Sequence, residues 1–337
     1  MQDSGDLRNA PTAANYHTVG CPNCGDDDAT HLYQLQISAI VTCRNCGLSY
    51  VNPRVTSAEI NRKLQLWATE DVVDGERLRH SFEPATLAYY GRFIALVERR
   101  VRRGRLLDIG CSTGAFLQVA RAAGWQVEGL EIGLASARYA VESLGLSVQQ
   151  GSLYDYVPSE KFDALAMLEV IEHLEDPRRA LGLAHELLTD DGVLLVTTPN
   201  FDSLYRRLCG PRWWVINCED EHIVLFTLAA LTRLLEDAGF VVVDYRIRSI
   251  DWLGLLREWQ SRGGTSAKIE APTTAIDSYY TSRAAKSRVK HWLGRLGILS
   301  SARALLHLLD RTFEWRWSPT FAWGEHLVVI ARRRTER

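Results

Sequence analysis

Four of the seven cysteines fall in two matched pairs, Cys21-Pro-Asn-Cys24-Gly and Cys43-Arg-Asn-Cys46-Gly, with 18 residues between them. A Cys-x-x-Cys pair followed by glycine lets the backbone reverse sharply enough for two thiolates to grip one ion. Two such pairs supply the four soft ligands that zinc takes in a closed, structural site. Cys21, Cys24, Cys43 and Cys46 are therefore expected to hold a structural zinc ion. A second group with chemical meaning is Asp108-Ile-Gly110-Cys111-Ser-Thr-Gly114. This loop lacks the G-x-G-x-x-G of a dinucleotide site, and the acid before it repels a pyrophosphate while suiting an ammonium group. Glu131, 23 residues after Asp108, stands at the end of the next apolar run, where a carboxylate accepts hydrogen bonds from two ribose hydroxyls. The pair asks for a nucleoside that carries an amino acid.

Two further sets suit proton or metal chemistry. Glu169-Val-Ile-Glu172-His173 spaces its polar groups at i, i+3 and i+4, so one helical turn would point them the same way. Together with His222 they form a candidate site for a divalent ion that lowers an acceptor's pKa, and carboxylates mixed with imidazole suit Mg or Mn. The alternative is that Glu172 and His173 merely cap a helix. Glu221-His222 is the other set, with His222 a candidate general base near neutral pH. Its alternative is packing ahead of the Thr227 cap.

These residues need a scaffold. Arg105–Ile109 reads as a buried strand and Ala115–Gly124 as the helix after it, so the glycine loop opens a helix whose first N–H groups lack intrahelical partners. Downstream, strands are expected at 125–131, 147–151, 162–168, 192–199, 241–247 and 326–333, and helices at 133–144, 177–189 and 228–238. Asp176-Pro177 and Thr227 mark two helix starts, and Gly239 a stop. The alternation predicts an α/β fold with a doubly wound, mostly parallel seven-stranded sheet, a small N-terminal zinc ribbon and a helical insertion before the last strand. The divisions are a disordered tail (1–16), a ribbon (17–54), a helical connector (55–103), a main domain (104–250 and 325–335) and an insertion (251–324). In the ribbon, Leu32–Cys43 alternates like one strand. In the connector, Glu83–Gly104 reads as an amphipathic helix, with Tyr89 and Tyr90 as packing residues.

Composition narrows the partners. The net charge of -2 gives no basic excess, which argues against nucleic acid. No stretch approaches the roughly 20 apolar residues of a membrane span. The N-terminus lacks a signal segment, and the remaining cysteines, including Cys209 and Cys218, are scattered, so a reducing cytoplasm is the expected location. The basic, Trp-rich stretch around 280–317 is open to four readings: a helical cap, a substrate lid, a dimer face that leaves oligomeric state undecided, or a peripheral membrane patch.

Leu106-Leu-Asp-Ile-Gly-Cys-Ser-Thr-Gly114 with Glu131 resembles the class I S-adenosylmethionine-dependent methyltransferases. FDALAMLEVIEHLEDP, LLTDDGVLLVTTPN and EHIVLFTLAALTRLLEDAGF are similar to the branch that includes ubiquinone-biosynthesis O-methyltransferases. The zinc-ribbon start resembles bacterial sugar and natural-product methyltransferases, deoxysugar C-methyltransferases among them. The resemblance implies that Gly110, Cys111 and Gly114 wrap the methionine moiety of S-adenosylmethionine, with Asp108 near its ammonium and Glu131 on the ribose. It implies adenine contacts at Ser152 and Leu153, although many relatives carry Asp at the position of Ser152. Leu168 and Glu169 would border the sulfonium, some relatives with the Glu-x-x-Glu-His pattern depend on a metal, and Glu221-His222 would lie in the acceptor site. The activity implied is methyl transfer to a small hydroxylated acceptor, a sugar or natural-product intermediate, with O-methylation preferred. C-methylation of a nucleotide-activated deoxysugar, RNA methylation and a non-catalytic cofactor-binding scaffold are the alternatives.

Overall fold

The computed structural model describes residues 16–56, 59–60, 75–216, 221–248 and 323–334. The expected tail, all but its last residue, the insertion 251–324 apart from its end, and Cys218 lie outside these residues.

The described residues open with β1 (Tyr16–His17), the first Cys-x-x-Cys turn, β2 (Ala29–Gln34), β3 (Ala39–Cys43), the second turn, β4 (Ser49–Asn52) and β5 (Arg54–Val55). The stretch read as a single strand folds instead as a hairpin of β2 and β3, because the chain reverses where the Leu35 N–H donates to the Ser38 carbonyl (2.9 Å). No glycine or proline marks that reversal in the sequence. Helices α1 (Glu76–Ser81) and α2 (Pro84–Glu98) follow, the second entered by proline at its first turn and ending short of the expected Gly104. Phe93, Ile94, Leu96 and Val97 make its buried side. Tyr89 and Tyr90 pack on Phe93, and Tyr90 also on Phe116, as aromatic residues at helical spacing do.

The main domain then alternates: β6 (Arg105–Ile109), α3 (Ala115–Ala122), β7 (Gln126–Glu131), α4 (Leu134–Glu142), β8 (Val148–Gln150), β9 (Phe162–Leu168), α5 (Pro177–Leu187), β10 (Leu188–Pro199), α6 (Leu204–Cys209), β11 (Val224–Leu225), α7 (Leu228–Asp237), β12 (Phe240–Arg248) and β13 (His326–Arg333). Helix starts follow the capping residues read from sequence: Asp176 Oδ1 accepts from the Arg179 N–H (2.9 Å) and Thr227 Oγ1 from the Ala230 N–H (3.1 Å). Seven strands form one sheet in the order β12-β13-β10-β9-β6-β7-β8, with β13 alone antiparallel to its neighbours. Strand order reverses at β6, so the crevice outside the carboxyl ends of β6, β7 and β9 is where such a sheet binds a ligand.

Both faces of the sheet are covered, which is why the central strands read as unbroken apolar runs. On one face Phe93, Leu117, Ala120 and Trp125 pack over Leu106, Ala164, Val193 and Val328. On the other, Leu181, Leu231, Leu234 and Leu235 meet Leu107, Leu165 and Leu194, and this cluster continues into Cys21, Cys43, Leu48 and Tyr50. The N-terminal unit is thus packed on the main core, and its four-stranded sheet, β11-β4-β3-β2, takes its last strand from residues far along the chain.

Candidate active site and metal centres

In the four-cysteine cluster the sulfurs of Cys21 and Cys46 are 3.3 Å apart and those of Cys24 and Cys43 3.6 Å, with all four within 4.8 Å of one another. Tetrahedral zinc with Zn–S bonds of about 2.3 Å sets its sulfurs about 3.8 Å apart, so the donor set fits that ion. The two turns repeat one geometry. The Gly25 N–H donates to the Cys21 carbonyl (2.8 Å) and the Gly47 N–H to that of Cys43 (3.0 Å), and both glycines have φ of +76°, a region where a side chain is strained. Burial pushes the Cys21 and Cys46 thiols up, a cost that an ion binding the thiolates removes.

The loop after β6 is held by the Gly110 and Cys111 N–H groups donating to the Leu130 carbonyl (2.7 and 3.1 Å). Gly110 is at φ +75°, and a β-carbon there would sit 2.6 Å from Val170 Cγ2. Only glycine lets the β6 loop and the β9 loop approach this closely. Asp108 is 2% exposed, and its Oδ1 has no hydrogen-bond partner. Burial, with the nearby Glu131 carboxylate, raises its pKa well above the ordinary value. A buried oxygen of this kind calls for a donor, and a ligand ammonium is one that also relieves the charge repulsion. Glu131 is anchored at both oxygens, Oε2 accepting from the Ser112 N–H (2.8 Å) and Oε1 from the Gly133 N–H (2.7 Å). A carboxylate has about four acceptor sites, so it still has capacity for a ligand hydroxyl. These features fit the cofactor that the sequence suggests.

A cavity of about 300 Å³ runs along this crevice, lined by Gly110, Glu131, Ser152, Leu153, Glu169, His173 and Glu221 among others. It therefore joins the expected cofactor residues to the expected acceptor-side residues. Ser152 Oγ accepts from the Tyr154 N–H (3.3 Å), and Tyr154, absent from the sequence reading, lines the cavity as well. Cys111 is buried, with its sulfur 2.7 Å from where a Gly129 β-carbon would stand. Gly114, at φ +84°, caps α3 and packs on Leu146 and Ala140. Leu168 is half-buried at the end of β9.

Glu169, Glu172 and His173 do not share the α-helical turn expected of their spacing. Glu169 has φ of +56°, and Ile171–His173 is a single turn of tight helix. Among the described residues only Ser112 and Glu169 combine a side chain with positive φ; Ser112 donates its N–H to Glu131 and Glu169 lines the cavity, and backbone strain tends to be kept for function. The strain divides the set. Glu172, His173 and His222 bring ligand atoms within 4.8 Å of one another, whereas the Glu169 carboxylate lies 3.6 Å from Nδ1 of His326. Burial opposes the charge on Glu169, yet His326 holds its carboxyl below the usual range. Burial likewise opposes His326's charge, and Glu169 raises that imidazole nonetheless.

Glu172 is 1% exposed, with Oε2 accepting from Thr198 Oγ1 (3.0 Å) and Oε1 unpartnered. Burial and the neighbouring Glu169 push its carboxyl well up. His173 Nδ1 lies 2.8 Å from the Glu221 carbonyl and His222 Nδ1 3.1 Å from the Val215 carbonyl. A carbonyl requires N–H at each Nδ1, so each neutral ring keeps its lone pair on Nε2, the tautomer a metal or a proton takes. The rings are 4.9 Å apart. Burial lowers His173, and burial with His173 lowers His222 to about 3. A depressed imidazole stays unprotonated when folded but gains a proton when unfolded, so stability falls as pH drops from about 6.5 towards about 3. In urea titrations across that window, His222→Gln is expected to flatten the fall in unfolding free energy; an unchanged slope would contradict the buried neutral ring.

His326 was invisible to motif reading, since it stands in a strand that otherwise reads as core. One signal was available. β13 is antiparallel, so its first residue pairs with Pro199 at the carboxyl end of β10, beside the crevice.

A family model described as a methyltransferase domain matches residues 80–245. The chain is 29% identical over 189 residues to a ubiquinone biosynthesis O-methyltransferase of Dinoroseobacter shibae, spanning 49% of this chain and 74% of that one. To the enzymes of the same name from Actinobacillus pleuropneumoniae and Rhodopseudomonas palustris it is 34% and 32% identical, spanning 28% and 42% of this chain and 46% and 59% of theirs. A solved S-adenosylmethionine-dependent methyltransferase from Archaeoglobus fulgidus superposes with a TM-score of 0.47 at 18% identity, covering 78% of this chain and 97% of that one. The sheet order is that of a class I methyltransferase core, and the sequence matches support S-adenosylmethionine-dependent methyltransferase activity.

Proposed function

We propose that the chain methylates a hydroxyl oxygen of a small acceptor, a sugar or a natural-product intermediate, and that Asp108, Gly110, Cys111, Gly114, Glu131, Ser152, Leu153, Leu168 and Glu169 form the cofactor side of the site. The observation that carries this is one cavity lined both by Glu131 and by His173 and Glu221, so that proton-accepting groups border the cofactor crevice. When bound, S-adenosylmethionine supplies a methyl group activated by positive sulfur. The protein's work is then to hold the two reactants in line and take the hydroxyl proton. Asp108 and Glu131 fix the cofactor's two polar ends. Glu172, His173 and His222 are the candidate ligands of a divalent cation, Mg or Mn, that would lower the acceptor's pKa, and His222 and Glu221 are the candidate proton acceptors, Glu221 lining the cavity. Glu169 is paired with His326 and borders the three candidate ligands without joining their group.

The N-terminal zinc is structural in this reading. Among the described residues no helix is long and apolar enough to cross a membrane. The test is a panel of hydroxylated acceptors, with release of S-adenosylhomocysteine and product mass followed together. The reading expects a methyl group on oxygen. A carbon-methylated product would instead favour the C-methyltransferase reading, which the adjacent Glu221 and His222 also accommodate.

A further inference from the structure

We infer that the four-cysteine cluster positions the acceptor side of the active site through one shared strand. The second Cys-x-x-Cys turn is itself the β3–β4 connection: Cys43 ends β3, its N–H donates to the Leu48 carbonyl (2.9 Å), and β4 starts at Ser49. β4 pairs on its other edge with β11, matching Tyr50 with Val224 and Ser49 with Leu225, and the Val51 N–H donates to the Ile223 carbonyl (3.0 Å). Ile223 in turn donates its N–H to the Glu172 carbonyl (3.0 Å), and the preceding Glu221 carbonyl lies 2.8 Å from His173 Nδ1. Glu221, His222 and the Glu172–His173 turn are thus strung to the edge of a hairpin whose turn the metal closes.

The coupling has a physical reason. β11 is only two residues long, too short to hold a place by itself, and its partner on the main-domain side is an isolated bridge between Asn200 and Phe226. Val224 and Leu225 are buried between the N-terminal sheet and the main domain. Without the metal, four thiols would share one small space, the hairpin turn would lose its closure, and β11 would lose its longest pairing. The cofactor crevice is built from β6 and β7, which do not touch the hairpin strands through any pairing. Val51 and the four cysteines are positioning residues under this inference. It rests on the proposed roles of the zinc site and of Glu221 and His222.

Hydrogen exchange tests it. The full chain is purified, its zinc measured, and the metal then removed by a thiol-competing chelator or by Cys46→Ser. The expected result is exchange at 221–226 faster by roughly tenfold or more, with 105–131 protected as before and affinity for S-adenosylhomocysteine within about twofold. A second variant, Val51→Pro, deletes the N–H that holds Ile223 while leaving every thiol in place. It should keep one zinc per chain and loosen 221–226 to a similar degree. If 221–226 stays protected in Val51→Pro, or in the metal-free chain while 39–52 opens, the inference is overturned. Equal opening of 221–226 and 105–131 in Val51→Pro overturns it too. A protein that binds no zinc at all defeats the zinc reading instead, and Val51→Pro then still decides whether the strand pairing positions the site.

Discussion

Glu131→Ala is expected to weaken S-adenosylmethionine binding by about a hundredfold, or about 2.7 kcal/mol, while leaving the fold intact. The carboxylate is proposed to accept two hydrogen bonds from the ribose, and bonds to a charged acceptor are each worth about 1.5–3 kcal/mol. The side chain does a second job by receiving the Ser112 and Gly133 N–H groups, which fix the loop entering α3 and the turn after β7. Burial raises the Glu131 pKa, opposed by those same backbone donors, so the anchoring also keeps the carboxylate available as an acceptor. Glu131→Gln separates the two roles. It retains an oxygen for one donor but offers an amide to the other, and should lose affinity by an intermediate factor. Calorimetric titration reads both variants, and an alanine variant with unaltered affinity would remove Glu131 from the cofactor site.

His222→Ala and Glu172→Gln are expected to lower turnover by roughly 10² to 10⁴ with cofactor affinity within about twofold. Neither residue lies in the β6–β7 loops, and the two share a cluster with His173. If that cluster holds a cation, both variants also lose their dependence on added Mg or Mn. Burial and Glu169 keep the Glu172 carboxyl protonated beyond the usual range, so a cation must displace that proton. Cation affinity should therefore rise with pH in the wild type, and rise less steeply in Glu172→Gln. Steady-state rates at saturating cofactor, with and without chelator, give the answer. Full turnover in either variant would leave the cluster a packing feature. Zinc retained at the four cysteines during mild chelation distinguishes the two metal sites.

Much of the scaffold is legible because its signals are local. Leu106, Leu107 and Ile109 form an apolar run broken only by Asp108, Gly110 and Gly114 punctuate it, and Asp176 and Thr227 sit where helix starts need an oxygen. The four cysteines declare themselves by spacing. What the sequence conceals depends on contacts between distant residues. The β2–β3 reversal at Leu35–Ser38 carries no turn residue, so alternation runs through it unbroken. Glu169 has a positive φ at the end of β9, where its N–H meets the Thr197 carbonyl (3.0 Å), and its carboxylate pairs with His326, a residue far along the chain. His326 joins the site only because β13 runs antiparallel beside β10. β11 is two residues of an apolar run, and nothing near it predicts that its partner lies some 170 residues earlier.

The proposed cofactor site rests on two carboxylates, Asp108 and Glu131, that select an amino acid joined to a nucleoside. Calorimetry with S-adenosylhomocysteine, 5′-methylthioadenosine and NAD tests that selection most directly. S-adenosylhomocysteine should bind most tightly, with one site per chain. Methylthioadenosine, which lacks the ammonium facing Asp108, should bind more weakly by roughly tenfold or more, and NAD not measurably. Equal affinity for the first two ligands, or tighter binding of NAD, would contradict the account.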